Sequence, residues 1–407
     1  MHSLRFTLAA LASIFLFMVG LGTVASAQTT FVYTANALEG GSISIYKLNP
    51  TTGALTQTGG SPFQNDSPAY LASTAGGKFL IVSGGSCPGC GIQVFAINPA
   101  TGALTLAHAY EQIGAVTVQG SQVISDPAGT TLYTFGTIQN VQGATLQVIA
   151  AVHVNTDGSL AQVGTTVTFP PGQNIVGSVP MAVDPRSRWV FALVGDNTGA
   201  ATLFAFVHNA DGSLGTQVGA VSLGDQNCTS NLVVSRIAID PQGKNLFFSC
   251  NPNATFTFNG IQVYGINQTT GALSRIDSFT TQHTFEALSS DRQGWRVFAA
   301  TEETNLVEPF DFNRNVDQLG LLNGGILYHT GAQPNGVAVD PSNKFVYVTN
   351  GSFCFAKAVA NGTCTNTSSG NISGYSFNYT QGTLANLPGS PFASGPGTRS
   401  MIFVQVP

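Results

Sequence analysis

The chain has 407 residues, only 8% of them charged, with 14 Lys and Arg against 19 Asp and Glu for a formal net charge of −5. A typical soluble domain carries about 25% charged residues; here 47 glycines and many Thr, Ser and Asn stand in their place. Nucleic-acid binding needs clustered Lys and Arg to displace phosphate counterions, and the absence of any such cluster excludes that class.

Arg5, the apolar run Phe6 to Gly22 and the small-x-small sequence Ala25-Ser26-Ala27 read as a signal peptide over residues 1–27, cleaved before Gln28. The run is short for a membrane span, and no later stretch reaches membrane length. Residues 28–407 are therefore expected to form one exported domain, periplasmic or extracellular. Six cysteines in an exported chain point to disulfides more than to metal thiolates. Cys87 and Cys90 share a Cys-Pro-Gly-Cys loop, Cys354 and Cys364 bracket another loop, and Cys228 and Cys250 fall in one repeat. That grouping is one of the fifteen pairings six cysteines allow. A redox Cys-x-x-Cys usually wants a helix N-terminus, so a loop staple is the expectation for Cys87 and Cys90.

A four-strand phrase recurs with a period of roughly fifty residues. The mature chain opens inside one copy: Phe31-Val-Tyr-Thr-Ala-Asn36 is a second strand with no first strand before it. Later copies begin near Tyr70, at Ser125-Asp126-Pro127-Ala-Gly129, at Met181-Ala-Val-Asp184-Pro185, at Ile237-Ala-Ile-Asp240-Pro241 and near Glu286. The fullest is Gly336-Val-Ala-Val-Asp340-Pro341-Ser-Asn-Lys344-Phe-Val-Tyr-Val-Thr-Asn350, followed by Ile372 to Asn378 and Gly382-Thr-Leu384. Asp-Pro-x-Gly suits a type I turn, with Asp capping, Pro presetting φ and Gly taking the left-handed position. Alternating Val, Tyr, Phe and Thr on either side mark half-buried strands. One such sheet cannot bury both faces, so neighbours must stack around an axis. The chain ends on Ser400-Met-Ile-Phe-Val-Gln-Val-Pro407, a first strand with nothing after it. Six whole repeats and one shared between the termini predict an all-β, seven-bladed β-propeller. It has four antiparallel strands per blade, and its C-terminal strand closes the ring on the N-terminal blade.

In that architecture the first strands line a central channel, and their leading residues form its mouth on the face opposite the Asp-Pro turns. Ligand sites favour such concave mouths on rigid scaffolds. The mouth candidates are Tyr70, Gln122, Val179, Arg236, Glu286, Asn335 and Arg399. Lys78, Arg186, Arg188, Lys244, Arg292, Arg296 and Lys344 sit at or beside the turns and read as solvated. Arg236 begins an otherwise apolar strand, so its charge calls for a carboxylate such as Glu286 or for a ligand. His283, Glu286, Glu302 and Glu303 are the groups available for general acid–base work. Asp196 is a further acid expected on this face. The scattered His and the lack of alternating acidic loops predict no metal, and no nucleotide or cofactor motif is present.

The repeat text resembles the lactonase-type β-propellers and the related YVTN-repeat proteins. Tyr347-Val348-Thr349-Asn350 carries the namesake tetrapeptide, Tyr33-Thr34-Ala35-Asn36 echoes it, and Gly60-Ser-Pro-Phe63 and Gly389-Ser-Pro-Phe392 look like closing phrases of the same group. That group includes 6-phosphogluconolactonases and muconate-lactonising enzymes, and the resemblance implies a site at the channel mouth built from Arg, His and Glu. The positions matching the enzymes' Arg-His pair are Ser235 and Arg236. Pro252 follows Asn251 where an acid is expected, and Pro180-Met181 stand near an expected His. No catalytic residue therefore carries over, and Arg236, His283 and Glu286 are candidates on chemistry alone.

The reading that results is an exported ligand-binding or interaction module using the loop face around the channel. Its expected ligand is a small molecule, carbohydrate or peptide at the mouth, bound by a monomer without a cofactor. Arg236, Glu286, Arg399, Tyr70, Gln122 and Asn335 are the expected contacts. One alternative is a hydrolase of an extracellular lactone, in which Arg236 polarises the carbonyl and His283 or Glu286 activates water. The other is a structural cell-envelope protein.

Overall fold

The computed structural model describes residues 28–407 except 39, 67, 85–90, 119–121, 170–179, 196–200, 224–236, 251–257, 302 and 352–368. The expected signal peptide lies outside the described residues, as do Val179, Asp196, Arg236, Glu302 and every cysteine except Cys250. Cys250 is buried at the end of strand Asn245–Cys250 and is disulfide-bonded.

The described residues form seven antiparallel sheets. Three have four strands, three have five and one has six, because short segments add to the four-strand plan. Two of the added strands come from the Gly-Ser-Pro-Phe phrases. Phe63 pairs with Ile43 and Phe392 with Ile372, while Ser61 and Ser390 accept hydrogen bonds from the Ile45 and Gly374 N–H groups at 2.9 Å.

Ring closure is explicit. Strand Thr29–Asn36 pairs with Ser42–Leu48 on one side and with the tail strand Thr398–Val406 on the other, in register from Thr29 opposite Val406 to Ala35 opposite Ser400. We number this shared sheet blade one. Blades two to seven open with Pro68–Ser73, Val123–Ser125, Met181–Val183, Ile237–Ile239, Ala287–Ser290 and Pro334–Val339. Each first strand touches the next, and the last touches Thr398–Val406, which touches Pro68–Ser73 in turn. Pairing the termini removes two sheet edges that would otherwise template association.

The two-residue period sends alternate side chains to opposite neighbours. Phe31 and Tyr33 pack against Leu80, Val82 and Phe95 of blade two, whereas Val32 packs against Phe345, Tyr347 and Ile372 of blade seven. There are seven such apolar layers, one per blade interface. An open stack of seven sheets would have only six.

The first-hairpin turns follow the expected chemistry. The Asp126 carboxylate accepts the N–H groups of Thr130 and Thr131 at 2.8 and 3.0 Å, and Gly129 takes φ 63°. Asp340 accepts from Lys344 and Phe345 at 2.8 and 2.7 Å, with Asn343 rather than Gly in the left-handed position at φ 63°. Asn tolerates that conformation better than most residues do. Two turn cations depart from the solvated expectation. Arg188 donates from Nε to Asp184 at 2.6 Å and lies 4.1 Å from the Trp189 ring centre. Arg296 pairs with Asp311 and faces Tyr379 at 5.2 Å. The turn itself supplies Asp184 and Trp189 to Arg188, whereas strand register supplies Asp311, and the neighbouring blade Tyr379, to Arg296; such contacts are favourable even at a surface. No helix among the described residues is long and apolar enough to cross a membrane.

Candidate functional site

At their mouth ends three of the seven first strands carry irregularities that aim side chains. On the tail strand, Thr398 pairs with Asn36 and Ser400 with Ala35, so Arg399 between them has no opposite number. In blade seven, Pro334 pairs with Asn350 and Gly336 with Thr349, which leaves Asn335 in the same position. In blade two the skipped residue is Ala69, between Pro68 and Tyr70. A bulge of this kind bends the strand and redirects its extra side chain, commonly beside a binding site.

The Arg399 bulge is pinned from behind. The Thr398 and Ser394 hydroxyls both donate to the Asn36 side-chain oxygen Oδ1, at 3.0 and 2.9 Å, and Asn36 Nδ2 donates to the Ser44 hydroxyl at 2.9 Å. Asn350, the last residue of Tyr-Val-Thr-Asn, serves its own blade similarly through bonds to Asn371 and Ser373 at 2.9 and 3.0 Å. The motif's Asn is thus a strand-end clamp. Arg399 itself donates from Nη2 to the Tyr70 hydroxyl at 2.9 Å, and its guanidinium carbon lies 4.9 Å from the Tyr70 ring centre. Stacking and hydrogen bonding together hold a planar cation in one orientation.

Beside this pair a cavity of about 270 Å³ occupies the channel, and Gln122, Arg399 and Ser400 supply its polar side chains. Gln122 bridges blades three and four by accepting the Met181 N–H at 2.8 Å. Asn335 is buried and engages Thr349 at 3.0 Å and Gly351 at 3.4 Å. Glu286 is buried immediately before strand Ala287–Ser290, its N–H bonded to the Ala300 carbonyl at 2.9 Å. The structure thus gathers Gln122 and Arg399 on one cavity and joins Tyr70 to it through Arg399, while Asn335 and Glu286 lie outside its lining.

His283 pairs with a residue outside the set of candidates drawn from the sequence. Its Nδ1 lies 3.4 Å from Oε2 of Glu308, a buried carboxylate on strand Leu306–Asn313. Burial pushes the Glu308 carboxyl above its ordinary value of 4.5, and His283 opposes that rise. The signal for Glu308 was present in the sequence: Glu308, Phe310 and Phe312 alternate on one face of an apolar strand, so the acid had to point inward with the two aromatics. Glu303 is exposed. Among the described residues, no three His, Cys, Asp or Glu side chains converge to hold a metal.

Fold and channel mouth together define a seven-bladed β-propeller with a cavity of ligand size in its central channel. A family model described as Lactonase, 7-bladed beta-propeller, matches residues 22–119. Among solved structures, a Lactobacillus plantarum protein shares 16% identity with a TM-score of 0.68, covering 92% of this chain and 99% of its own. A Bacteroides uniformis protein provisionally assigned as a 6-phosphogluconolactonase also shares 16% identity with a TM-score of 0.68, covering 93% and 99%. The periplasmic gluconolactonase of Pseudomonas aeruginosa shares 16% identity with a TM-score of 0.65, covering 93% and 100%. At this identity the structural likeness speaks for the fold alone. No curated protein sequence matches the chain.

Proposed function

We propose that this chain is an exported, monomeric propeller that binds a small molecule at the mouth of its central channel. Residues 1–27 serve as its signal peptide, and the loops of the binding face are stapled by Cys87 with Cys90, Cys354 with Cys364, and Cys228 with Cys250. The observation that carries the reading is the bulged Arg399, oriented by Tyr70 over a 270 Å³ cavity. That arrangement suits a carboxylate or an acyl oxygen, both of which a guanidinium binds with directional, charge-assisted hydrogen bonds. Gln122, with Asn335, Glu286 and Arg236 around the rim, would complete the polar contacts. Ligand-dependent thermal stabilisation tests it. The wild type is expected to gain melting temperature with small carboxylates or lactones, and Arg399→Gln to lose the gain while melting normally without ligand. No stabilisation by any of them would overturn the reading.

A second reading, hydrolysis of an extracellular lactone, is favoured by the lactonase family match and by the His283–Glu308 pair. A carboxylate that accepts Nδ1–H of an imidazole leaves Nε2 free to take a proton from water. Arg236 or Arg399 would polarise the carbonyl, with Glu286 the other acid at hand. Acidification of a weakly buffered lactone panel by the wild type, lost in His283→Gln at unchanged melting temperature, is the expected result. Binding without turnover would leave the protein a binder.

A further inference from the structure

On the face that carries the first-hairpin turns, away from the channel mouth, a groove of about 760 Å³ lies between blades five and six. Its cause can be read from the repeat. At four other junctions an aromatic ring near the start of a second strand covers the left-handed glycine of the next blade's outer turn. Phe31 covers Gly102, Phe79 covers Gly158, Trp189 covers Gly271 and Phe345 covers Gly53, so closely that a β-carbon on the glycine would lie within 2.8 Å of the ring. Thr131 meets Gly212 in the same way, and Leu322 meets Gly382. Between blades five and six both parts are exchanged. Asn245 begins the second strand where the aromatic stands elsewhere, and Asp317 takes the glycine's place at φ 53°. The groove is the space left by the missing plug.

The same place carries chemistry that the other junctions do not. The fourth residue after the turn Asp is Thr130 in blade three, Lys244 in blade five and Lys344 in blade seven, each with its N–H bonded to that Asp. In blade six it is Trp295, bonded to Asp291 at 2.8 Å. An indole thus stands where its counterparts are polar, and it is only half-buried. Arg314 lies over it with the guanidinium carbon 4.4 Å from the ring centre, and Arg314 Nη2 donates to the Gln293 carbonyl at 2.6 Å. Lys244, Asn267, Asn315 and Asp317 line the groove beside Trp295 and Arg314 and are exposed. Asp accepts positive φ more readily than most residues do, yet still at a cost that Gly would avoid.

These groups select one kind of ligand. Cations and a carboxylate share the groove, so a ligand of either charge meets a like-charged neighbour. An aliphatic ligand would strip water from the amides and the carboxylate without replacing its hydrogen bonds. A sugar ring meets both demands. Each hydroxyl donates and accepts, which suits carboxylate and amide together, and the C–H face of a pyranose suits the negative face of an indole. We propose that the groove is a second binding site, for a neutral saccharide that packs on Trp295 and is hydrogen-bonded by Asp317, Asn267 and Asn315. It lies on the face opposite the mouth and is independent of the function assigned there.

The test is a calorimetric titration of the full chain with cellotetraose, xylotetraose and maltotetraose, with tetragalacturonate as the acidic counterpart. At least one neutral tetrasaccharide is expected to bind. Trp295→Lys restores the residue type of blades five and seven, and Asp317→Gly restores the glycine of the other outer turns, so both variants should melt normally. Each is expected to weaken binding about tenfold or more, and Asp317→Gly to melt at or above the wild-type temperature. Lost affinity with undiminished stability is a result that a merely structural Asp317 would not give. Absence of binding by all three neutral sugars, tighter binding of tetragalacturonate, or unchanged affinity in Trp295→Lys, as when the sugar sits at the mouth instead, would overturn the proposal.

Discussion

The Tyr347 hydroxyl donates to the Gly53 carbonyl at 2.6 Å, joining blade seven to the outer hairpin of blade one across 294 positions of sequence. The same bond recurs from Tyr33 to Gly102 and from Tyr133 to Gly212, each at 2.8 Å. The Tyr of the tetrapeptide motif is thus a rivet between neighbours, received by the Gly of the next blade's outer turn. Removing it by Tyr347→Phe orphans a buried carbonyl and should cost about 1–3 kcal/mol of stability, measured by urea unfolding.

These phenols also set an alkaline limit. Burial pushes the hydroxyls of Tyr33, Tyr133 and Tyr347 above the ordinary value of 10, and that of Tyr375 to about 12. The unfolded chain releases these protons near pH 10 and the folded chain does not, so stability is complete below pH 10 and lost as pH rises above it. The loss should be shallower in Tyr347→Phe. A melting temperature flat from pH 9 to 12 would contradict this account of the rivets.

Truncation after Gly397 removes the strand that closes the ring. Blade one is left with an unpaired edge in Thr29–Asn36, and the apolar layers on either side are opened. The expected outcome is a chain that aggregates or loses cooperative unfolding, read by light scattering and calorimetry.

Gly243 sits at φ 61°, where a β-carbon would approach the Asp184 carboxylate to 1.9 Å. Gly243→Ala combines an unfavourable backbone with displacement of the Asp184–Arg188 pair across two blades. A destabilisation of more than about 1 kcal/mol is expected. Gly76 is also at positive φ but has nothing within 4 Å of the same position, so Gly76→Ala should cost less.

Glu308→Gln keeps the shape of the side chain and removes the penalty of burying a charge. Because burial raises the Glu308 carboxyl above 4.5, the folded wild type resists ionisation that the unfolded chain permits. Its stability is full below about pH 4.5 and declines as pH rises through the elevated folded value. The variant should therefore match the wild type in acid and equal or exceed it near neutrality, in paired melts across pH. If His283 acts as a base, the same variant should lower lactone turnover at unchanged melting.

The ring was legible because its causes are local and repeated. Asp-Pro turns, alternating strands and complementary half-blades each constrain the chain within a few residues. The candidate site was legible only where it lies on strands. Arg399 and Tyr70 could be placed at the mouth by counting back from a turn, but their mutual stacking depends on a bulge that no spacing announces. Arg296 looked solvated because its partners, Asp311 on the next strand and Tyr379 of blade seven, are distant in sequence, whereas Arg188 draws on the local Asp184 and Trp189. Glu308 was not legible as a site residue because it lies inside the third strand of its blade, where only its shared parity with Phe310 and Phe312 marks it as inward.

Calorimetric titration of small carboxylates, gluconate among them, into the wild type and Arg399→Gln bears most directly on the claim that the closing strand delivers an anchoring cation to the channel mouth. The account predicts binding by the wild type, weakened tenfold or more in the variant, with both proteins melting at the same temperature. Equal affinity in the two proteins would contradict it.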